Sequence, residues 1–289
     1  MRAGIITGSG SYDWPSLAAA SASTVSTRFG DVDLTEGTVG AVEVVHLARH
    51  GLGHARVSNQ IQHRANLSAL IERGVDFVIS VTVCGALDPA AELGSLVVFD
   101  DLYFPSNRLP DGSLCTWHDT PGATGRGHWI FDRPFSEALR GHAIDAARDL
   151  DIAVIEHGCY GHVDGPRFNS RSEIAALAGT GVTAVSQTAG PEVVLAGEAG
   201  IPILLLGYLT DHANGVRDRP QPVSALLERM HASTGVFARI VDATVSRVQA
   251  APPPVGTKDS RRNNSSSCRR VAGEQAVVPL AVEVMSLQG

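Results

Sequence analysis

The chain has 289 residues, of which 44% are hydrophobic and 18% charged, the balance of a globular protein with a substantial core. A formal net charge of −7 argues against a general nucleic-acid or membrane-surface binder, and four scattered cysteines (Cys84, Cys115, Cys159, Cys268) form no metal-ligand spacing. The start AGIITGSG is too short and too glycine-broken for a secretory signal, and the most apolar later run, IPILLLGYL at 201–209, is far too short to span a bilayer; a cytoplasmic protein with reduced thiols is expected.

In chain order, short β-branched runs predict buried strands at 3–7, 42–48, 76–82, 95–100, 152–158, 182–187 and 201–209. Helical periodicity separates several of them. The segment QHRANLSALIERG (62–74) places Ala65, Leu67, Leu70 and Ile71 on one face and stops at Gly74; 133–151 and 170–181 behave similarly. The segment PEVVLAGEAG (191–200) opens with proline in a first turn and closes on Gly200, and 222–248 reads as a long amphipathic helix with a break near Gly235. Strands alternating with helices predict an α/β fold, a single domain over 1–249. From 250 to 289 the composition turns rich in Pro, Ser, Asn and Arg, which predicts a mostly disordered tail, although AVVPLAVEVM (276–285) has strand character.

Chemistry-bearing residues fall where these strands end. The first strand runs into TGSGSYD (7–13), whose small residues let backbone amides approach an anion while Ser9 adds a hydroxyl. It lacks the full GxGxxG spacing, so a dinucleotide fold is not supported. The next ends in LARHGLGHARVSNQ (47–60), where Arg49 offers a planar fork suited to phosphate, His50 a second donor, and His54 follows. Taken singly, both segments also read as ordinary structural loops. A third strand ends in SVTVCGALDP (80–89) with Thr82. In DGPRFNSRSE (164–173) Phe168 follows a rigid Gly-Pro, placed to stack on a planar ligand. At 184–202, AVSQTAGPEVVLAGEAGIP sets Ser186, Gln187 and Thr188 where a buried strand hands over to a helix. Asp211, in YLTDHANGV (208–216), lies just past the most hydrophobic strand; a carboxylate there needs a partner or a task, and HANG is no helix start for it to cap. Ligands of α/β sheets bind at the carboxyl ends of strands, and the whole set converges there.

The ordered series GSG, ARHG, TVCGAL, GPRFNSRSE, PEVVLAGEAGI and TDHANG closely resembles the purine nucleoside phosphorylase superfamily, in its 5′-methylthioadenosine phosphorylase branch, over roughly residues 3–248. The resemblance implies a single α/β domain with a central mixed sheet flanked by helices, assembled as a homotrimer with sites at subunit boundaries. It implies phosphorolysis: a purine nucleoside plus inorganic phosphate gives free purine and ribose 1-phosphate, with no metal or organic cofactor and no nucleic-acid or membrane partner. By position it gives phosphate to Ser9, Arg49, His50, Thr82 and Thr188, the purine to Phe168 and Asp211, and the ribose side to Gln187 and His54. His128, in GHWIFDRPF, matches a histidine that reaches from the neighbouring subunit toward the 5′ group.

Two positions depart from the family pattern. Gln187, preceded by Ser186, stands where the family has a methionine preceded by asparagine. Ala213 stands where relatives specific for 6-aminopurines carry a second aspartate, and the HANG continuation is closer to relatives acting on 6-oxopurines such as methylthioinosine. A carboxyl at Asp211 suits an adenine-type base, so a 5′-modified adenosine is the expected substrate. A 6-oxopurine or methylthioinosine phosphorylase is the alternative, and a weakly active nucleoside-binding paralogue the reading from another class. The RHG triplet also resembles phosphohistidine phosphatases, which place it after the first strand; here the glycine loop occupies that position. Val223, Leu226 and Leu227 offer either an apolar cover for the 5′ group or plain helix packing.

Overall fold

The computed structural model describes residues 1–9, 14–17, 20–122, 129–131, 133–219, 221–250 and 268–270. Strands β1 (Arg2–Thr7), β2 (Ser21–Thr27), β3 (Gly30–Val39), β4 (Val42–Ala48), β5 (Phe77–Ala86), β6 (Leu96–Val98), β7 (Asp101–Tyr103), β9 (Val154–Ile155), β10 (Cys159–His162), β11 (Val182–Ser186) and β12 (Ile203–His212) form one mixed sheet. Around it lie α1 (His63–Glu72), α2 (Glu137–Asp149), α3 (Arg171–Gly179), α4 (Ala189–Ala199) and α5 (Val223–Ala250). A separate ribbon pairs β8 (Trp129–Phe131) with β13 (Cys268–Arg270), the only described part of the 251–289 segment.

The centre of the sheet is parallel: β4, β1, β5 and β12 lie side by side in one direction. Their sequences are near-continuous apolar runs because helices cover both faces. Leu67 and Leu70 of α1 with Val193 and Leu195 of α4 pack on one face, whereas Leu139 of α2 with Phe237, Ile240 and Val241 of α5 pack on the other. The long β5 is the branch point. Its first residues sit between β1 and β12, and its last two, Gly85 and Ala86, pair antiparallel with β11, which continues through β10 to β7.

The expected α/β architecture is therefore observed, with three differences. A hairpin of β2 and β3 joined by Arg28-Phe29 extends the sheet beyond β4; its outward face is polar, which hides it from a hydrophobicity reading. The strand expected to stop at 209 continues to His212, so Asp211 lies within β12 rather than beyond it. Finally, α5 runs unbroken through Gly235.

Alanine is expected to act with opposite sign at two glycines that have nothing within 4 Å of a built Cβ. Gly200 closes α4 at φ 73°, a left-handed conformation, so Gly200→Ala should lower stability by about 1 kcal/mol. Gly235 is an exposed interior position of α5, so Gly235→Ala should raise it by roughly 0.5–1 kcal/mol. Denaturant midpoints of the two variants read both signs.

Candidate active site

At the carboxyl ends of the parallel strands lies a cavity of about 270 Å³. β1 delivers Ser9 to it, β4 delivers Arg49 and His50, β5 contributes Thr82 from mid-strand, and β11 ends in Ser186 before Gln187 and Thr188. β12 brings Asp211 from the opposite side. Nine of the ten residues expected from sequence thus fall around one space: Ser9, Arg49, His50, His54, Thr82, Phe168, Gln187, Thr188 and Asp211. The tenth, His128, lies outside the described residues.

Arg49 is 2% exposed and its fork is already held by protein. Nε and Nη2 donate to the two carboxylate oxygens of Glu192 at 2.8 and 2.9 Å, Nη2 also donates to Ser80 Oγ at 2.6 Å, and Nη1 donates to the Val81 carbonyl at 2.7 Å. A guanidinium has five N–H groups, so one on Nη1 remains for a ligand. Glu192 sits in the first turn of α4 and is fully buried, and Ser80 donates to it as well. The pair is electrically neutral. Gly8 permits this packing, because a Cβ there would lie 2.8 Å from Arg49 Nη1.

His50 is fixed from one edge. Its Nδ1 is 2.8 Å from the Arg56 carbonyl, which can only accept, so Nδ1 carries the proton and a neutral ring turns the Nε2 lone pair outward, an acceptor and not the donor expected from sequence. Burial, then the Arg49 charge, lowers the His50 pKa to about 4, keeping it neutral. His54 stacks on it with ring centroids 4.2 Å apart, held in a left-handed backbone conformation at φ 59°. Behind them burial lowers His162 to about 3 and His63 well below its ordinary value.

Three hydroxyls line the wall beside Arg49. Thr82 Oγ1 lies 3.0 Å from Ser186 Oγ and 3.4 Å from Thr188 Oγ1. The start of α4 is not an open anion site: the Thr188 and Ala189 amides donate to the Tyr160 hydroxyl at 3.4 and 3.1 Å, and the Gly190 amide to His162 Nδ1 at 3.4 Å. Among the described residues, the donors for an anion here are hydroxyls and a single guanidinium N–H, within an uncharged surround.

The opposite end is built differently. The register of β12 against β5 shifts between Leu209 and Asp211, and this extra residue at Thr210 re-aims the following side chain into the cavity. Burial pushes the Asp211 pKa up; the Thr210 hydroxyl, donating to Oδ1 at 2.8 Å, opposes it, as do His212 and Arg229. Ala213 is buried beside it, so no second carboxylate is present at that position. Phe168 stands at the rim, 69% exposed. Leu226 and Met230 of α5 complete the wall, while Val223 and Leu227 are exposed at 69% and 58%. Gln187 has both amide ends engaged: Ser58 Oγ donates to Oε1 at 2.9 Å, and Nε2 donates to the Arg167 carbonyl at 3.0 Å.

Sequence reasoning overlooked Glu192, Ser80 and Ser58 as parts of this site. Glu192 had a legible signal, an acid inside the apolar run of a buried helix, which must find a cation. Among the described residues no three His, Cys, Asp or Glu side chains converge as a metal would require, and no helix is long and apolar enough to cross a membrane.

Comparison with known proteins places the chain in a family. The family model described as phosphorylase superfamily matches residues 2–246. The 6-oxopurine nucleoside phosphorylase of Pyrococcus furiosus is 31% identical over 84% of this chain and 92% of its own length. A probable S-methyl-5′-thioinosine phosphorylase of Xylella fastidiosa is 33% identical over 74% and 89%. The solved methylthioadenosine phosphorylase of Schistosoma mansoni, in complex with adenine, superposes with a TM-score of 0.79 at 28% identity, covering 87% of this chain and 93% of its own. The chain belongs to the phosphorylase superfamily.

Proposed function

We propose that the cavity carries out phosphorolysis of a purine nucleoside bearing an apolar 5′ substituent, with 5′-methylthioadenosine as the substrate that suits it best. The observation that carries this reading is the opposition of two unlike ends: a hydroxyl-lined cradle around Arg49, and a partly buried carboxyl, Asp211, turned in by a strand bulge. Phosphate lies in the cradle, taking hydrogen bonds from Ser9, Thr82, Thr188 and the free Arg49 N–H. His50 Nε2 accepts a hydrogen bond from the P–OH of hydrogenphosphate, the proton staying on the phosphate. The purine stacks on Phe168 and meets Asp211, with His54 beside the sugar. Leu226 and Met230 face the 5′ group.

The chemistry follows from that placement. The C1′–N9 bond breaks toward the base, and positive charge spreads over the ribose ring, as in other reactions of oxocarbenium character. Phosphate on the opposite face stabilises this charge and then forms the new bond at C1′, so no protein nucleophile is required. Holding the two reactants in line supplies much of the rate. The electron pair leaves with the purine, which accepts a proton at N7 from Asp211, whose raised pKa fits it for that donation. Inorganic phosphate is the co-substrate, and the step uses no metal or organic cofactor.

A second reading is a 6-oxopurine or methylthioinosine substrate, favoured by Ala213, which removes the further acceptor a 6-amino group would use. The exposed apolar rim of Phe168, Val223 and Leu227 supports a homotrimer in which a neighbouring subunit, bringing His128, covers the 5′ end. Among the described residues, two buried and one partly buried unpaired cysteine suit a cytoplasmic location.

Base release from methylthioadenosine, adenosine, methylthioinosine and inosine, with and without phosphate, tests the reading. Phosphate-dependent adenine release is expected; hypoxanthine release alone selects the second reading, and no release from any of the four refutes both. Asp211→Asn should lower kcat/KM for the adenine-type substrate at least a hundredfold. In the wild type kcat/KM should fall as pH rises through the raised Asp211 pKa, since the protonated form is the active one.

Glu192→Gln should lower stability by about 3 kcal/mol, because it strands the Arg49 charge in the interior. Bound phosphate then supplies the missing counter-charge. Melting with and without saturating phosphate should show a larger ligand-induced rise in Tm for the variant than for the wild type.

A further inference from the structure

Phe168 poses a mechanical problem. A ring that is 69% exposed is not positioned by its own packing, yet a stacking surface must be held within a fraction of an ångström. Its place therefore depends on the backbone that carries it, and that backbone is pinned on both sides. On the far side, Arg167 donates from Nη1 and Nη2 to the two Glu173 oxygens at 2.8 and 2.7 Å. Glu173 also closes a capping box with Ser170 at the start of α3.

On the near side the anchor is Gln187. The Arg167 carbonyl can only accept, so the amide nitrogen of Gln187 must face it, which fixes the orientation of the group. The oxygen end then receives the Ser58 hydroxyl from the loop between β4 and α1. One side chain thus joins three segments: the end of β11, the loop carrying His54 and Ser58, and the loop carrying Phe168. The fit is close, because a Cβ on Gly165 would fall 2.1 Å from Gln187 Oε1 and 2.0 Å from Ser58 Oγ. A methionine here has no donor for the Arg167 carbonyl and offers the Ser58 hydroxyl only a weakly accepting sulfur.

We propose that Gln187 is a positioning residue for the purine, acting through the Arg167 carbonyl on the Phe168 loop, and not a ligand of the ribose. The proposal rests on the reading of Phe168 as the purine's stacking surface. Affinity for the base is then set partly by a strut that touches no atom of it.

Purine and ribose 1-phosphate binding, measured separately by calorimetry on the full chain, reads this without requiring turnover. Gln187→Met and Ser58→Ala should each weaken purine binding about fivefold and change ribose 1-phosphate binding less than twofold. In a Phe168→Ala background, Gln187→Met should add less than twofold, since the element it positions is gone. Weaker ribose 1-phosphate binding with purine unchanged would overturn the proposal, as would an undiminished fivefold effect without Phe168. If Phe168→Ala alone leaves purine affinity intact, the stacking reading fails first and the proposal with it. Unaltered purine affinity in Gln187→Met, with Phe168→Ala impaired, defeats the strut alone.

Discussion

The buried ion pair between Arg49 and Glu192 is the constraint on which the site depends. Its two side chains are each 1% exposed, and neither charge is tolerable there alone. The pair ties the exit of β4 to the first turn of α4, and through Ser80 and the Val81 carbonyl it ties both to the centre of β5. Those three elements supply most of the cradle. Gly8 adds a fourth contact by coming close enough to Nη1 that a methyl group would not fit.

This arrangement also determines the electrostatics. Glu192 neutralises Arg49, the buried histidines are held uncharged, and the amides opening α4 are occupied by Tyr160 and His162. In the proposed reading, a phosphate in this cradle is oriented by hydroxyl dipoles and one N–H without being cancelled by a net positive charge. Its charge then remains available to the cation that develops on the ribose, where the attraction grows only as the glycosidic bond opens. A fully cationic cradle would bind the ground state more tightly and leave less for the transition state. The price of burying an ion pair is consistent with that division: Glu192 weakens the anion site in order to fix its geometry.

Much of this was legible in the sequence where a hydrophobic run met a polar residue it did not need. The ends of β1, β4 and β11 announced themselves because Ser9, Arg49 with His50, and Thr188 follow stretches that have to be buried. Other features left no local trace. The β2–β3 hairpin is mostly exposed on one face, so its composition resembles a loop. The bulge at Thr210 is a matter of register between two strands distant in sequence, and it alone explains how Asp211 points inward from within β12. Arg49 reads from sequence as an open fork, and only the fold shows that four of its five donors are spent on protein.

The two ends of the cavity differ in rigidity for a physical reason. In the proposed reading the phosphate end is made from strand termini and a buried helix start, with Arg49 and the α4 amides held by hydrogen bonds in the low-dielectric interior. The base end sets loops and the first turns of α5 around the bulged end of β12, with Phe168, Val223 and Leu227 facing outward. Phosphate presents the same four oxygens in every reaction, so a rigid cradle loses nothing by being specific. Nucleosides differ at the base edge and at the 5′ carbon, and in the proposed reading Ala213 and Gln187, the two positions that depart from the resembled pattern, act on the base side. A departure at Gln187 is tolerated because the amide bonds to two neighbouring loops and needs no change in the sheet behind it. Specificity can therefore vary at the loop end of this cavity while the ion pair at the other end stays fixed.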